Sequence, residues 1–217
     1  MHEIFGARFA GRREPAWHKL GTVFPEGTTP EQAFDLAGMD YQVVKQPLYA
    51  LWPPHGANPK AVDTGHVALV SEPTDDDPEP VVFGVASKDF ELVQNREVLD
   101  IVKPLAEHWP IETIGALKRG AVTFLTFDLG QFEVAKDPCR QYALVSNAHD
   151  GTGALYVRQT GVRVVCANTL RMALDSEAAF AFRLKHVGDV KDLAQFYAGL
   201  IAQLRVAMTS GQERLKM

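Results

Sequence analysis

Polar side chains that can do chemistry lie close together in the last third of the chain. Asn147, His149 and Asp150 precede a short apolar segment. Cys166 ends a second apolar segment, and Asn168 follows it. Cysteine, histidine and asparagine are the residue types of a cysteine-protease triad, in which the imidazole activates the thiol and the amide orients the ring. This pattern indicates a cysteine hydrolase or, through His149 and Asp150, a metal-assisted nuclease.

Each of these residues also has a structural interpretation. Cys166 follows the run Val-Arg-Val-Val, where a small buried thiol packs well, whereas a nucleophilic thiol needs an exposed, electropositive setting. Asn147, His149 and Asp150 are followed by a glycine and favour a hydrogen-bonded turn. Asn168 can cap the helix that follows it. We therefore predict no catalytic residue, a core thiol at Cys166, and structural turn or cap roles for the other four.

Composition limits the remaining classes of site. The chain has two cysteines, Cys139 and Cys166, and neither has a second cysteine or a histidine at a metal-binding spacing. No glycine-rich phosphate loop is present, so we predict no metal and no cofactor. No apolar run approaches the length of a membrane span, and the first residues do not resemble a signal peptide, so we expect a cytoplasmic protein.

The elements that must position these residues alternate between helix and strand patterns. Thr29 can cap a short helix that starts at Pro30 and ends before Gly38, and Asn95 can cap a second helix. Eight runs predict strands, at 41–48, 65–70, 81–86, 111–117, 121–129, 141–146, 154–157 and 162–165. The last five have short connections, including a hairpin turn at 118–120, and therefore predict an antiparallel sheet.

The two ends of the chain differ in pattern. Apolar residues recur at three- and four-residue spacing from Asp189 to Met208 and predict a long amphipathic helix across the sheet. Residues 1–27 have no helical or strand period and predict an N-terminal arm. We expect residues 28–217 to form one α+β domain, in which an antiparallel meander of hairpins packs against the long C-terminal helix.

Basic and aromatic residues predict a nucleic-acid surface in spite of a net charge of -5. In the arm, Trp17 and His18 offer ring faces on which bases can stack or a neighbouring subunit can pack. Basic residues near predicted strand ends or a helix start can contact phosphates; they are Lys118, Arg119, Arg158, Arg163 and Arg171.

Five segments, taken in order, resemble a known family. They are Pro-Ala-Trp-His-Lys-Leu-Gly-Thr at 15–22, Val-Gln-Asn at 93–95, Glu-Thr-Ile-Gly-Ala-Leu at 112–117, Asn-Ala-His-Asp-Gly at 147–151 and Val-Arg-Val-Val-Cys-Ala-Asn-Thr-Leu at 162–170. The family is the phage/plasmid-like domain-of-unknown-function family of prophages, plasmids and actinobacterial phages. Its members usually continue well past this length, which implies a C-terminal truncation here.

The resemblance extends, by analogy of fold, to phage single-strand annealing proteins of the RecT, Redβ and Erf type. It implies ATP-independent binding and annealing of single-stranded DNA in homologous recombination, by a homo-oligomeric ring or filament that does not enter a membrane. Two alternatives stay open. One is an enzyme centred on His149, Asp150 and Cys166, and the other is a phage protein that inhibits a host defence factor.

Overall fold

The computed structural model describes residues 4–13, 21–56, 58–75, 77–134, 137–176, 178 and 181–184, and single residues at 199, 202 and 206. Of the residues that the structure describes, 45% lie in strands and 21% in helices. Within the described ranges, no helix is long and apolar enough to cross a bilayer. The elements in chain order are β1 (Ile4–Gly11), β2 (Thr22–Val23), α1 (Pro30–Leu36), β3 (Val43–Trp52), β4 (Lys60–Ser71), β5 (Val81–Ser87), α2 (Asn95–Ala106), β6 (Ile111–Leu117), β7 (Val122–Val134), β8 (Asp137–Ala148), β9 (Leu155–Thr160), α3 (Ala167–Asp175) and β10 (Ala181–Leu184).

Seven strands form a large sheet in the order β10-β9-β8-β7-β6-β1-β2. All neighbours are antiparallel except β1 and β2, which pair in parallel. Sequential hairpins join β6 to β9, and the first of them turns at Lys118–Gly120. The predicted antiparallel sheet and its hairpin turn are therefore confirmed.

The predicted strand at 162–165 is wrong. These residues form no strand and lie against β6, where the Val164 carbonyl accepts a hydrogen bond from the Thr113 hydroxyl at 2.9 Å. The apolar run Val162 to Val165 is buried by packing on the sheet face rather than by pairing at its edge. A short apolar run does not distinguish these two ways of being buried.

The segment predicted as an N-terminal arm contains a strand of the large sheet. β1 lies between β6 and β2, and its neighbouring residues Phe9 and Ala10 are both buried, one in the core on each face of the sheet. A strand covered on both faces has no polar alternation, so its sequence lacks a period of two. Trp17 and His18, which are predicted to stack on bases or to join subunits, lie outside the described residues.

The large sheet is covered on both faces. Helices α1 and α2 pack on one face, over a core that includes Leu99, Ile114 and Phe127. The segment 162–174, with α3, packs on the other face over Phe124 and Leu144. The caps of α1 follow the prediction: Thr29 is the N-cap with a reciprocal bond to Gln32, and Pro30 opens the helix.

A smaller antiparallel sheet, in the order β3-β4-β5, packs beside the large one. The turn after β8 joins the two sheets, because Gly84 of β5 lies so close to the Asp150 backbone that a side chain at Gly84 would collide with it. This contact holds the start of the 149–153 turn against the small sheet.

The predicted fold class, α+β with a long C-terminal helix, is wrong, because the fold is essentially β-rich. The described helices α1, α2 and α3 have 7, 12 and 9 residues, and no long C-terminal helix is shown among the described residues. The predicted helix from 189 to 208 lies outside those residues, except at 199, 202 and 206. Amphipathic spacing indicates which side of a helix is apolar but not where it packs, and both faces of the sheet already have covers.

Candidate binding surface beside helix α3

Asn147 and His149 belong to a buried polar network that ties β8 to α2. Asn95 donates through Nδ2 to the Met39 carbonyl at 3.1 Å, so its Oδ1 accepts from His149 Nε2 at 2.8 Å. Asn147 Nδ2 donates to the Val93 carbonyl at 3.0 Å. Asn147 and His149 are fully buried and Asn95 is nearly so, which makes this network part of the protein interior.

Aromatic rings close the network off from solvent. His149 stacks on Phe83 with ring centroids 6.3 Å apart, and Tyr41 meets the imidazole edge-on at 6.4 Å. The Tyr41 hydroxyl donates to the Gly120 carbonyl at 2.6 Å. Burial raises the pKa of Tyr41 to about 12, against the opposing effects of Asn95 and Arg8, so the hydroxyl stays protonated at neutral pH.

Cys166 lies on the opposite face of the large sheet from His149. It is 3% exposed, within the hydrophobic cluster that includes Phe124 and Leu144, and its Sγ lies 3.4 Å from the Thr169 hydroxyl. The predicted core position of this thiol is confirmed. A thiol and an imidazole on opposite faces of one sheet cannot form a nucleophile–base pair.

The cap predicted at Asn168 is made by its neighbours instead. Cys166 is the N-cap of α3, and its backbone N–H donates to the Thr169 hydroxyl at 3.0 Å. Thr169 donates in turn to the Cys166 carbonyl at 3.0 Å. Asn168 is exposed in the first turn of α3, where its side chain reaches a neighbouring cavity.

Asp150 organises the turn after β8. Its Oδ1 accepts hydrogen bonds from the Thr152 backbone N–H at 3.0 Å and from the Thr152 hydroxyl at 2.7 Å. Gly151 has φ of 77°, a value that costs glycine nothing. Asp150 Oδ2 also lies 3.8 Å from Lys118 Nζ, which connects this turn to the β6–β7 hairpin.

A cavity of about 400 Å³ opens between α3 and the adjoining ends of β7, β8 and β9. We call it the α3 groove. Its apolar lining includes Val122, Ala148 and Leu170, and Ser146 and Tyr156 contribute hydroxyl groups. Four charged residues also line it: Lys118, Asp150, Arg171 and Asp175. Four residues that the sequence singled out therefore meet at one cavity: Lys118, Asp150, Asn168 and Arg171.

The β6–β7 hairpin turns through two basic residues in a left-handed conformation. Lys118 has φ of 49° and Arg119 has φ of 59°, and Gly120 follows with φ of 102°. A side chain other than that of glycine or asparagine is strained at positive φ, so two consecutive basic residues in this conformation are unusual. The turn presents two exposed cationic side chains, one of which lines the α3 groove, at a backbone cost of roughly 1 to 3 kcal/mol per residue.

Arg158 holds α3 in place rather than facing a ligand. Its guanidinium donates to the carbonyls of Leu174 and Ser176, at the C-terminal end of the helix. A cation at this position satisfies carbonyls that have no partner within the helix and complements the helix dipole. Arg158 therefore positions the helix that forms one wall of the α3 groove.

Arg163 belongs to a second charged group that we call the arginine cluster. Four arginines surround two carboxylates at the end of β6, β7 and β8 opposite the α3 groove; the members are Arg12, Arg13, Glu112, Asp128, Arg140 and Arg163. Arg163 Nε donates to Glu112 at 2.5 Å, and Arg13 Nη2 lies 3.2 Å from Glu112 and 3.1 Å from Asp128. Arg140 also pairs with Asp128, and Arg12 Nη1 lies 4.0 Å from it.

Tyr142 borders the arginine cluster. It pairs with Asp128 across β7 and β8, and it is 4% exposed. Burial raises the pKa of Tyr142, and the nearby Arg13 opposes that shift. The sequence did not reveal this cluster, because its members come from distant parts of the chain. The adjacent Arg12 and Arg13 were the one local signal.

Comparisons with known proteins place the surface in a sequence family. A family model described as "Domain of unknown function (DUF932)" matches residues 82–216. The matched range contains the whole lining of the α3 groove but not Arg12 or Arg13. No curated protein and no solved structure matches the chain. Among the described residues, no group of three or more His, Cys, Asp or Glu side chains is arranged to hold a metal ion.

Proposed function

We propose that this chain, which belongs to the DUF932 family of domains of unknown function, binds single-stranded DNA through the α3 groove. The observation that carries the proposal is the strained basic turn at Lys118 and Arg119. Backbone strain persists where the surrounding structure holds it, and it concentrates at ligand sites. A turn that served only to reverse the chain would be more stable with Asn at 118 and Gly at 119, because these residues tolerate positive φ and carry no charge.

The size and lining of the α3 groove suit one nucleotide unit. About 400 Å³ falls within the range of small-ligand pockets. Its apolar lining and the half-buried Tyr156 offer surfaces to a base, and such contacts accept any base because each has an apolar face. Binding of this kind has little sequence preference.

Charge at the groove favours a phosphate backbone by a small margin. Among the lining residues, the positive charges of Lys118 and Arg171 balance the negative charges of Asp150 and Asp175. Arg119, exposed next to Lys118 in the turn but outside the lining, adds one positive charge beside the groove, on a chain whose net charge is -5. Affinity should therefore depend on these few cations and fall as salt rises.

The phage resemblance extends the proposal to annealing. We propose that a homo-oligomer of phage or mobile-element origin anneals complementary strands without ATP during recombination, with Trp17 and His18 stacking on bases or joining subunits. The analogy with annealing proteins relied on a long C-terminal helix packed on a sheet. The fold is instead β-rich, and no long C-terminal helix is shown among the described residues. The support for the proposal is therefore the groove and its basic turn.

The enzyme alternative has weaker support. His149 and Asn147 are buried in a hydrogen-bonded network, and Cys166 is buried on the opposite face of the sheet. Nucleophilic catalysis needs a thiol and a base in hydrogen-bond reach of each other. No observation brings these groups together at a cavity.

Two double variants of the hairpin turn separate charge from strain. Lys118→Gln with Arg119→Gln removes both charges and keeps side chains at positive φ, whereas Lys118→Asn with Arg119→Gly removes both charges and relieves the strain. We expect both to weaken binding to a fluorescein-labelled single-stranded oligonucleotide by about tenfold or more, with the salt slope reduced by about 1.4. Only the Asn-Gly variant should gain stability, by about 1 to 2 kcal/mol.

Arg96→Gln is the matched control, since Arg96 is a half-exposed arginine of α2, on the other face of the sheet, paired with Asp40 at 3.0 Å. It removes one positive charge and should leave DNA affinity nearly unchanged. Equal affinity of wild type and both turn variants, measured by fluorescence anisotropy at several salt concentrations, would refute the proposed groove. An oligonucleotide duplex-formation assay with the same variants tests annealing separately.

A further inference from the structure

We propose that the arginine cluster is an oxyanion site whose ligand is a phosphate monoester dianion. Four guanidiniums surround two buried carboxylates, and a third, exposed carboxylate, that of Glu26, pairs with Arg12 at 3.6 Å. One positive charge remains in excess among the seven groups, and a second becomes available when an anion replaces Glu26 at Arg12. A phosphate monoester carries close to two negative charges above its second pKa of about 6, which matches these two charges.

The negative charges of the arginine cluster are buried, and its positive charges are partly exposed. The side chains of Glu112 and Asp128 are 0% and 5% exposed, whereas those of the four arginines are between 23% and 40% exposed. The carboxylates therefore form the base of the cluster and the guanidiniums its solvent side. Each guanidinium has five N–H donors, and the pairs with Glu112 and Asp128 use only part of them.

The carboxylates hold the arginines in fixed positions. Arg13 Nη2 bridges both acids, at 3.2 Å and 3.1 Å, and Arg163 Nε is held by Glu112 at 2.5 Å. Guanidiniums fixed in this way lose little side-chain entropy when an anion binds. Arginine also matches the oxygens of a phosphate group by paired N–H donors, which lysine cannot do.

Local backbone geometry supports the same interpretation. Glu112 lies at an irregularity of β6, between the pairs Ile111–Phe127 and Thr113–Thr126. Asp128 begins another irregularity, where its pairing with Tyr142 is followed by the pairing of Gly130 with Gln141. Such bulges redirect side chains and are common next to functional sites. Here two of them place both carboxylates beneath the arginines.

The inference does not rest on the proposed nucleic-acid function. Asp128 lies six residues along β7 from Val122 of the α3 groove, which corresponds to about 20 Å in a strand. The two surfaces can therefore be tested with different probes and different variants.

Inorganic phosphate is the probe for the test. We expect isothermal titration calorimetry of the full chain at pH 8 to show phosphate binding that an equal ionic strength of sodium chloride does not reproduce. Affinity should decrease as the pH is lowered from 8 to 6, because inorganic phosphate takes up a proton over that range and loses one negative charge.

Three variants locate the binding. Arg12→Gln should weaken phosphate binding by about tenfold, the order expected for one half-exposed charge contact. Arg12 suits this test because its contacts are long, 3.6 Å to the exposed Glu26 and 4.0 Å to Asp128, so folding depends little on it. Asp128→Asn should instead tighten binding, because it removes a negative charge while keeping the side-chain shape. Arg96→Gln, outside the cluster, should leave the affinity unchanged.

Absence of phosphate binding, or binding that Arg12→Gln leaves at wild-type strength, would overturn the inference. If Asp128→Asn does not fold, Glu26→Gln replaces it, since Glu26 competes for Arg12 from an exposed position, and slightly tighter binding is again the supporting result. A 5′-phosphorylated oligonucleotide compared with its 5′-hydroxyl form then identifies the source of the phosphate. Competition with inorganic phosphate by the phosphorylated form alone indicates a strand end as the ligand, and competition by neither form excludes a strand end. Equal competition by both forms would indicate internal phosphodiesters and would overturn the assignment to a phosphate monoester.

Discussion

The two faces of the large sheet bury polar groups in different ways. Under α2, the buried side chains of Asn147 and His149 bond to the Val93 carbonyl and to Asn95, and aromatic rings close them off. Under and beside α3, charged side chains have partners but also reach solvent, at the arginine cluster and at the α3 groove. Polar groups that bond to one another in an enclosed network stabilise the fold, whereas charges that are positioned and still accessible are suited to binding a ligand.

The largest expected change in stability concerns His149, on the sheet face covered by α2. His149→Ala removes a fully buried ring and leaves Asn95 Oδ1 without its donor, so the free energy of unfolding should fall by about 3 kcal/mol. Urea denaturation measures this change, and His55→Ala, at an exposed position, is the control that should change stability by less than about 0.5 kcal/mol. Unchanged stability together with lost ligand binding would mean that His149 has a functional role and that the contrast between the faces is false.

A smaller effect tests whether Arg158, on the α3 face, stabilises the fold or contacts a phosphate. Arg158→Met keeps the aliphatic stem but removes the hydrogen bonds to the carbonyls of Leu174 and Ser176, which should cost about 2 kcal/mol. The salt dependence of DNA binding should stay the same at temperatures where the protein is folded. A salt slope reduced by about 0.7, without loss of stability, would instead make Arg158 a phosphate contact, as its position in the sequence predicts.

The smallest effect concerns Tyr41. Tyr41→Phe removes the hydrogen bond to the Gly120 carbonyl and should cost about 1 kcal/mol at pH 7. Its pKa is raised from 10.0 to about 12 in the folded chain, so the stabilisation it provides is fully present below pH 10 and is lost as pH rises through 12. The difference in unfolding free energy between wild type and variant should therefore shrink from pH 10 to pH 12. A constant difference over that range would show that the hydroxyl is not buried as described.

Several turns, caps and strands followed from local patterns. The hairpin at 118–120 and the capped helix at Thr29 and Pro30 are where turn and cap residues indicate them, because these features depend on a few neighbouring residues. The strand at Phe9 and Ala10 was missed because burial on both faces removes the alternation that marks a strand. The predicted fold class was wrong because it relied on a long C-terminal helix. The spacing of apolar residues in a helix does not specify what that helix packs against.

The candidate site was only partly predictable for a similar reason. Lys118, Asp150, Asn168 and Arg171 were singled out one by one, and the structure brings them to one groove. Arg158 and Arg163 were singled out too, but each has a partner within the protein. Whether a basic residue faces solvent or a carbonyl depends on neighbours that are far away in the sequence.

The sequence by itself determined the local elements of this protein: the turns, one helix cap, the apolar strands and the burial of Cys166, since each depends on a short stretch of residue types. Only the tertiary structure decided which polar residues face a ligand. Long-range pairing put Glu112 and Asp128 beneath four arginines and put His149 on the opposite face from Cys166. Contacts between distant residues depend on strand order and on how segments cross the sheet, which no local pattern encodes.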